Sequence, residues 1–287
     1  MGQVKSYAKE YIMSKIESLE MEIAELGRLR TVWVYLPDNY DESGEPLPVI
    51  YMHDGQNLFY DRLASKGVSW RVDKTLDELF AQTGKSCIVV GVECNDKVRL
   101  SEYSPWRVRR RANKSKRTVV KSRANLGGEG KKYGEWFAKT LKPYIDEKYN
   151  TDKDRVATAV AGSSMGAYIS CYLALNYQRV YETMGLFSTY MQFNEPAFYK
   201  YEKNTSQAFF QHALVYVGGR EWGDVKADKL MIEQSNTLYN KLVERGITCE
   251  FIVSSKLSHN EKAWEIYFRK FAEDFINRYH EYKQSQQ

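Results

Sequence analysis

The stretch Val156-Ala157-Thr158-Ala159-Val160-Ala161-Gly162-Ser163-Ser164-Met165-Gly166-Ala167 constrains this chain more than any other. A short apolar run leads into Gly162-x-Ser164-x-Gly166, and a run of helical character follows from Tyr168 to Ala174. Strand, tight turn and helix, in that order, form the setting in which Gly-x-Ser-x-Gly makes a nucleophile elbow. Such a turn forces the serine into a strained backbone conformation and lifts its hydroxyl above the sheet. The residues two before and two after it come so close that both must be small, and Gly162 and Gly166 meet that demand. The backbone N–H of Met165 would then sit at a helix N-terminus, aimed at a developing oxyanion. A bare Gly-x-Ser-x-Gly also arises by chance; the flanking strand and helix favour the chemical reading.

The remaining apolar runs supply a sheet for that elbow. Leu19 to Leu26 alternates apolar and acidic residues, Gly27 permits a turn, and Thr31 to Tyr35 repeats the strand signal, which predicts an N-terminal antiparallel hairpin. Leu47–Met52, Ser86–Val92, Val156–Ala161 and Met184–Phe187 are apolar on both faces, as central strands of a covered sheet are, and Ala213–Val217 and Cys249–Val253 complete the set. Helical patterns separate them at Trp70–Phe80, Tyr133–Tyr149, Met165–Tyr177, Lys229–Glu244 and Glu261–Tyr282. The alternation predicts an α/β fold with a mainly parallel sheet and helices on both faces. With no internal repeat and no Gly/Ser/Pro-rich linker, the chain reads as one domain over residues 1–287. Two insertions, about 95–130 and 189–211, fall where ligands bind in such folds.

Composition narrows the class. A hydrophobic fraction of 43% over 287 residues suffices for a full core. No run of about 18 apolar residues predicts a transmembrane helix, and no signal-peptide pattern opens the chain, so a cytoplasmic protein is expected. Cys87, Cys94, Cys171 and Cys249 are scattered without Cys-x-x-Cys spacing, and Cys87 and Cys249 lie in apolar runs as buried thiols would. The net charge of +5 is local. Residues 107–124 carry nine Lys/Arg and no acid, and the rest of the chain is net −4. That segment reads as a solvated lid, as a binder of an acidic substrate or phosphate, or as a contact for nucleic acid or an anionic membrane. No aromatic interleaves it after Trp106, which argues against nucleic acid.

A serine needs a base. Of the four histidines, His53 precedes Ser164, His212 stands before a strand and His280 lies on a polar C-terminal helix. His259, in Lys256-Leu257-Ser258-His259-Asn260, follows the last strand, where the order Ser, acid, His places the base. The acid is expected after the preceding strand, in Gly218-Gly219-Arg220-Glu221-Trp222-Gly223-Asp224. Glu221 stands closer to the strand end and is preferred; Asp224 is the alternative, being the commoner residue type in the role. In His53-Asp54-Gly55-Gln56-Asn57, Gly55 allows a tight turn and the N–H of Gln56 is the candidate second oxyanion donor beside Met165. His53 and Asp54 are expected to support this loop. Neither has a partner histidine at metal-ligand spacing, so no zinc site is expected. Tyr103, Trp106, Tyr190, Phe193 and Trp222 are candidate pocket walls, though core packing would explain them as well.

Several pieces in fixed order carry a family resemblance. They are Val34-Tyr35-Leu36-Pro37, Tyr51-Met52-His53-Asp54-Gly55-Gln56-Asn57-Leu58-Phe59, Glu102-Tyr103-Ser104-Pro105-Trp106, Leu141-Lys142-Pro143-Tyr144-Ile145-Asp146, Ala161-Gly162-Ser163-Ser164-Met165-Gly166 and Ser258-His259-Asn260. Over about residues 18 to 275 the chain resembles the esterase D-like family of α/β hydrolases, which includes enterochelin-type esterases, S-formylglutathione hydrolases and feruloyl esterases. The resemblance implies the α/β-hydrolase fold, Ser164 as nucleophile, His259 as base and an acid matching Glu221. The basic segment 107–124 departs from the family, in which a shorter loop is expected. The expected activity is hydrolysis of a small-molecule carboxylic ester through an acyl-enzyme on Ser164, with no metal or organic cofactor. An acyltransferase using the same site, or a non-catalytic hydrolase-fold protein binding an anionic partner through 107–124, are the alternatives. Substrate identity and oligomeric state are not encoded legibly.

Overall fold

A computed structural model of the chain describes residues 14–108 and 126–287. From Arg109 to Ala124 the basic segment lies outside the described residues.

The period-2 stretch at the start pairs as expected. Strand β1 (Lys15–Ile23) runs antiparallel to β2 (Arg28–Leu36). A single 3-10 turn, Ala24–Leu26, and Gly27 at φ 58° close the hairpin. The fully apolar runs become β3 (Val49–His53), β4 (Ile88–Val92), β5 (Thr158–Ser163) and β6 (Thr183–Phe187), every residue of which is buried. Strands β7 (His212–Gly218) and β8 (Thr248–Ser254) complete one eight-stranded sheet in the order β1-β2-β4-β3-β5-β6-β7-β8. β2 is antiparallel to both neighbours, and the pairs from β4 through β8 are parallel.

Alternation along each strand divides the core in two. Val49, Tyr51, Val160 and Val215 face one side, and Ile50, Met52, Ala159 and Leu214 face the other. Helix α1 (Val72–Thr83) covers the second face. A four-residue helix α2 (Arg99–Glu102) belongs to the first insertion. The expected helix at 133–149 arrives in pieces: α3 (Gly130–Trp136), a π turn at Phe137–Leu141, and α4 (Lys142–Lys148). Pro143 lacks the N–H that would bond the carbonyl four residues back, and the helix widens ahead of it.

Helix α5 (Met165–Asn176) is buried from Met165 to Leu175 on the first face. Helix α6 (Glu195–Asn204) forms within the second insertion and has no counterpart among the sequence expectations. Helix α7 (Val225–Glu244) packs Leu238 and Leu242 on the first face. It starts four residues before the expected Lys229, because Asp224 caps it. Helix α8 (Glu261–Ser285) packs Trp264, Phe268, Phe271 and Phe275 beside α1 on the second face.

The first insertion is fastened to the sheet by charge. Glu102 is fully buried and receives Arg28 Nη1 at 2.8 Å and the guanidinium of Arg30. Arg28 also bonds Glu129 at 2.6 Å, tying both ends of the insertion to β2. At its neck the Val108 N–H donates to the Leu126 carbonyl at 2.9 Å. Removing one member of such a cluster strands the others in low dielectric. Glu102→Ala should therefore cost on the order of 3 kcal/mol in chemical denaturation, whereas Glu135→Ala, at an exposed pair with Lys139, should cost well under about 1 kcal/mol.

Candidate active site

The carboxyl end of β5 passes directly into α5 through Ser164, whose backbone sits at φ 57°, ψ −117°. Positive φ at a non-glycine residue costs on the order of 1–3 kcal/mol and persists only where its surroundings enforce it. Here the Ser164 N–H donates to the Phe187 carbonyl at 2.9 Å, and the Ser164 carbonyl accepts from the N–H groups of Tyr168 (3.1 Å) and Tyr190 (3.2 Å). The flanking glycines permit the crossing. A Cβ on Gly162 would lie 2.7 Å from the backbone carbon of Gly166. A Cβ on Gly166 would come within 3.2 Å of Asp54 Oδ2 and 3.4 Å of His53 Cβ, so the turn also abuts the loop after β3. Met165 opens α5 with its N–H at the helix N-terminus.

Of the two candidate acids, the structure brings Glu221 to His259. His259 Nδ1 stands 2.5 Å from Glu221 Oε2. The other carboxylate oxygen is already engaged: Oε1 accepts from Ser188 Oγ at 2.6 Å and from the Gly218 N–H at 2.5 Å. Ser188 Oγ in turn accepts from Trp264 Nε1 at 3.0 Å. Backbone bonds stitch the two loops together, with the His259 N–H on the Glu221 carbonyl (3.2 Å) and the Arg220 N–H on the Leu257 carbonyl (3.1 Å). Asp224 does something else. Its carboxylate accepts from the N–H groups of Lys226 (3.1 Å) and Ala227 (2.9 Å) and caps α7.

Two short routes join Ser164 to the His259–Glu221 pair. Tyr190, hydrogen-bonded to the Ser164 carbonyl, meets Trp222 edge-on at 6.2 Å, and Trp222 stacks on the His259 ring. Phe187, which holds the Ser164 N–H, is followed by Ser188, which holds Glu221. Ser188 and Trp264 escape a reading of the sequence because their contacts span 33 and 76 residues and belong to no motif.

The loop after β3 is braced from below. Asp54 takes a left-handed conformation, φ 57°, and leads into the 3-10 turn Gly55–Asn57 that carries Gln56. A Cβ on Gly55 would stand 2.6 Å from the Gly91 carbonyl oxygen, so only glycine lets this turn lie on β4. Gln56 turns its side chain away to accept the Cys94 N–H at 3.0 Å. Arg99 forks onto both Asp54 oxygens at 2.7 Å each, and the Asp54 N–H donates to the Tyr103 hydroxyl at 3.0 Å. His53 is enclosed by Tyr103, Tyr133 and Phe137, with Nδ1 2.9 Å from the Tyr133 hydroxyl. Burial pushes its pKa from 6.5 down to about 3, so it is neutral at ordinary pH. His53 and Asp54 thus hold the loop. Of the candidate walls, Tyr103 and Phe193 are core residues, and Trp106 packs edge-on against Tyr168, Tyr172 and Phe198. Tyr190 and Trp222 remain at the rim.

Residues 23–266 match the family model described as "Putative esterase". The chain belongs to this esterase family. It is accordingly a hydrolase of carboxylic esters. Among curated relatives, the YbbA protein of Bacillus subtilis is 24% identical over 253 residues, covering 86% of this chain and 90% of its own length. Two of the solved structures that share the fold illustrate it. A ferulic acid esterase superposes with a TM-score of 0.68 at 16% identity, over 93% of this chain and 99% of its own. The siderophore hydrolase EstB from Aspergillus nidulans does so with a TM-score of 0.70 at 14% identity, over 91% and 95%. No helix among the described residues is long and apolar enough to cross a membrane.

Neutral burial of His53 has a thermodynamic signature. The unfolded side chain takes up a proton below about pH 6.5, the folded one not until about 3. Protons therefore favour the unfolded chain between those values, and stability falls as pH falls. Denaturant unfolding at pH 7 and 4.5 should show the wild type losing on the order of 2 kcal/mol more than His53→Gln.

Proposed function

We propose that Ser164 is the nucleophile of this esterase, His259 its general base and Glu221 the carboxylate that orients the base. The observation that carries the reading is the 2.5 Å contact between His259 Nδ1 and a Glu221 whose other oxygen is already occupied. With Oε1 engaged by Ser188 and Gly218, only Oε2 is offered to the imidazole. A proton on Nδ1 then sits in that hydrogen bond and leaves the Nε2 lone pair for the serine. Ser164 Oγ attacks the ester carbonyl as Nε2 takes its proton. The tetrahedral oxyanion is held by the N–H groups of Met165 and Gln56. His259 returns the proton to the leaving alcohol, and water, deprotonated by the same nitrogen, releases the acid from Ser164.

In this reading the catalytic groups stand on one domain, with the insertions 95–130 and 189–211 shaping the pocket. The basic segment 107–124, with nine Lys/Arg and no acid, would receive an anionic group of the substrate; its start is anchored by Trp106 on Phe198 and by Asn194, which bonds the Arg107 carbonyl at 3.3 Å. Four unpaired thiols suit the cytoplasmic setting expected from the sequence. Esters of ferulic acid and of siderophores, named for the structural neighbours, come first in a substrate panel.

Kinetics on p-nitrophenyl acetate test the assignment. Ser164→Ala and His259→Gln should each lose at least about 10³-fold in kcat, and Glu221→Gln about as much. Asp224→Asn should stay within about threefold, since asparagine also caps a helix. Equal, small losses at Glu221 and Asp224 would leave a Ser–His pair working alone, and full activity in Ser164→Ala would end the reading.

A further inference from the structure

The base proposed above is covered by an indole that the reaction scheme does not yet use. Trp222 directly follows Glu221 and is 48% exposed, so burial gives little account of a tryptophan there. Its ring lies on the His259 imidazole, with centroids 4.5 Å apart and planes within 23°. The indole is held in place. The Trp222 backbone N–H donates to Asp228 Oδ1 at 2.7 Å, which fixes the main chain at the first turn of α7, and Tyr190 meets the ring edge-on. Trp264 also touches the imidazole, but edge-on, at 5.0 Å and 84°; it is a core residue bonded to Ser188.

A single hydrogen bond fixes a point of a ring and not its plane. Glu221 Oε2 anchors Nδ1, and rotation about that contact would swing Nε2 away from a serine hydroxyl. A flat aromatic face laid against the imidazole opposes that rotation. The same face is electron-rich, and the base becomes a cation during turnover. The turn after β7 thereby delivers two adjacent residues to one ring, a carboxylate to its edge and an indole to its face. Among the described residues the charged groups in contact with His259 are Glu221 and Lys66, whose Nζ reaches the His259 carbonyl at 3.4 Å and not the ring.

We infer that Trp222 is a positioning residue for His259, holding the plane of the imidazole and stabilising its protonated form. The inference rests on the reading of His259 as the base.

The test compares wild type, Trp222→Leu and Trp222→Phe on p-nitrophenyl acetate between pH 5 and 9, with His259→Gln alongside. Leucine keeps an apolar cover and removes the π face; phenylalanine keeps both. Trp222→Leu should lower kcat about tenfold with KM little changed, and shift the acid limb of kcat/KM to lower pH by about half a unit. Trp222→Phe should restore most of both. A rise in KM alone, with the limb unmoved, would make Trp222 a substrate wall and overturn the inference. Equal losses in the leucine and phenylalanine variants, with a lowered Tm, would make it a structural residue and overturn it too. Turnover surviving in His259→Gln would instead remove the base assignment itself, an outcome separate from either.

Discussion

The site depends on two glycines passing each other. Because Gly162 and Gly166 lack Cβ atoms, β5 can turn into α5 within one residue, and that residue, Ser164, is held at φ 57°. The strain is local, and what resists its relaxation is not. The Ser164 amide is tied to β6 and its carbonyl to the loop beyond β6, while Gly166 presses on Asp54 and His53. A side chain at Gly162 would meet the backbone of Gly166 and push α5 off the sheet, one at Gly166 would crowd Asp54 and His53, and α5 is buried almost from end to end on the first core face. The hydroxyl position is thus set by the packing of an entire helix.

The rest of the site is arranged by dividing acceptors. Glu221 has two oxygens; the protein interior takes one through Ser188 and Gly218 and leaves the other to His259. Asp54 is divided differently, with both oxygens given to Arg99, which makes it a brace for the Gln56 turn. Glu102 repeats the device at larger scale, fastening the first insertion to β2 through Arg28 and Arg30. In each case a buried carboxylate is fully partnered, as its desolvation demands. These carboxylates do different work because of what their partners are: an imidazole at Glu221, guanidinium groups at Asp54 and Glu102.

The sheet and the tight turn at Ser164 were legible because their signals are short-range. Doubly apolar runs mark buried parallel strands, and small residues two before and two after a serine mark a sharp turn. The carboxylate that meets His259 was legible only to a choice of two. Glu221 and Asp224 stand three residues apart, and which one meets the imidazole depends on where α7 begins; Asp224, with its carboxylate on two backbone N–H groups, starts that helix and turns away. Tyr103 could not be told from a wall residue, since its hydroxyl partner, the Asp54 N–H, lies 49 positions away. Ser188 and Trp264 left no trace in the sequence for the same reason. Helix α6 was missed because Pro196 stands among its first residues, and proline reads as a break unless the first turn is already known.

The central claim is that Ser164 is made nucleophilic by its surroundings, and covalent capture tests it most directly. A fluorophosphonate incubated with the intact protein, followed by digestion and peptide mass mapping, should place one adduct on Ser164 and lose it in His259→Gln. An adduct on another serine with turnover blocked, or full turnover with no adduct at all, would contradict the account.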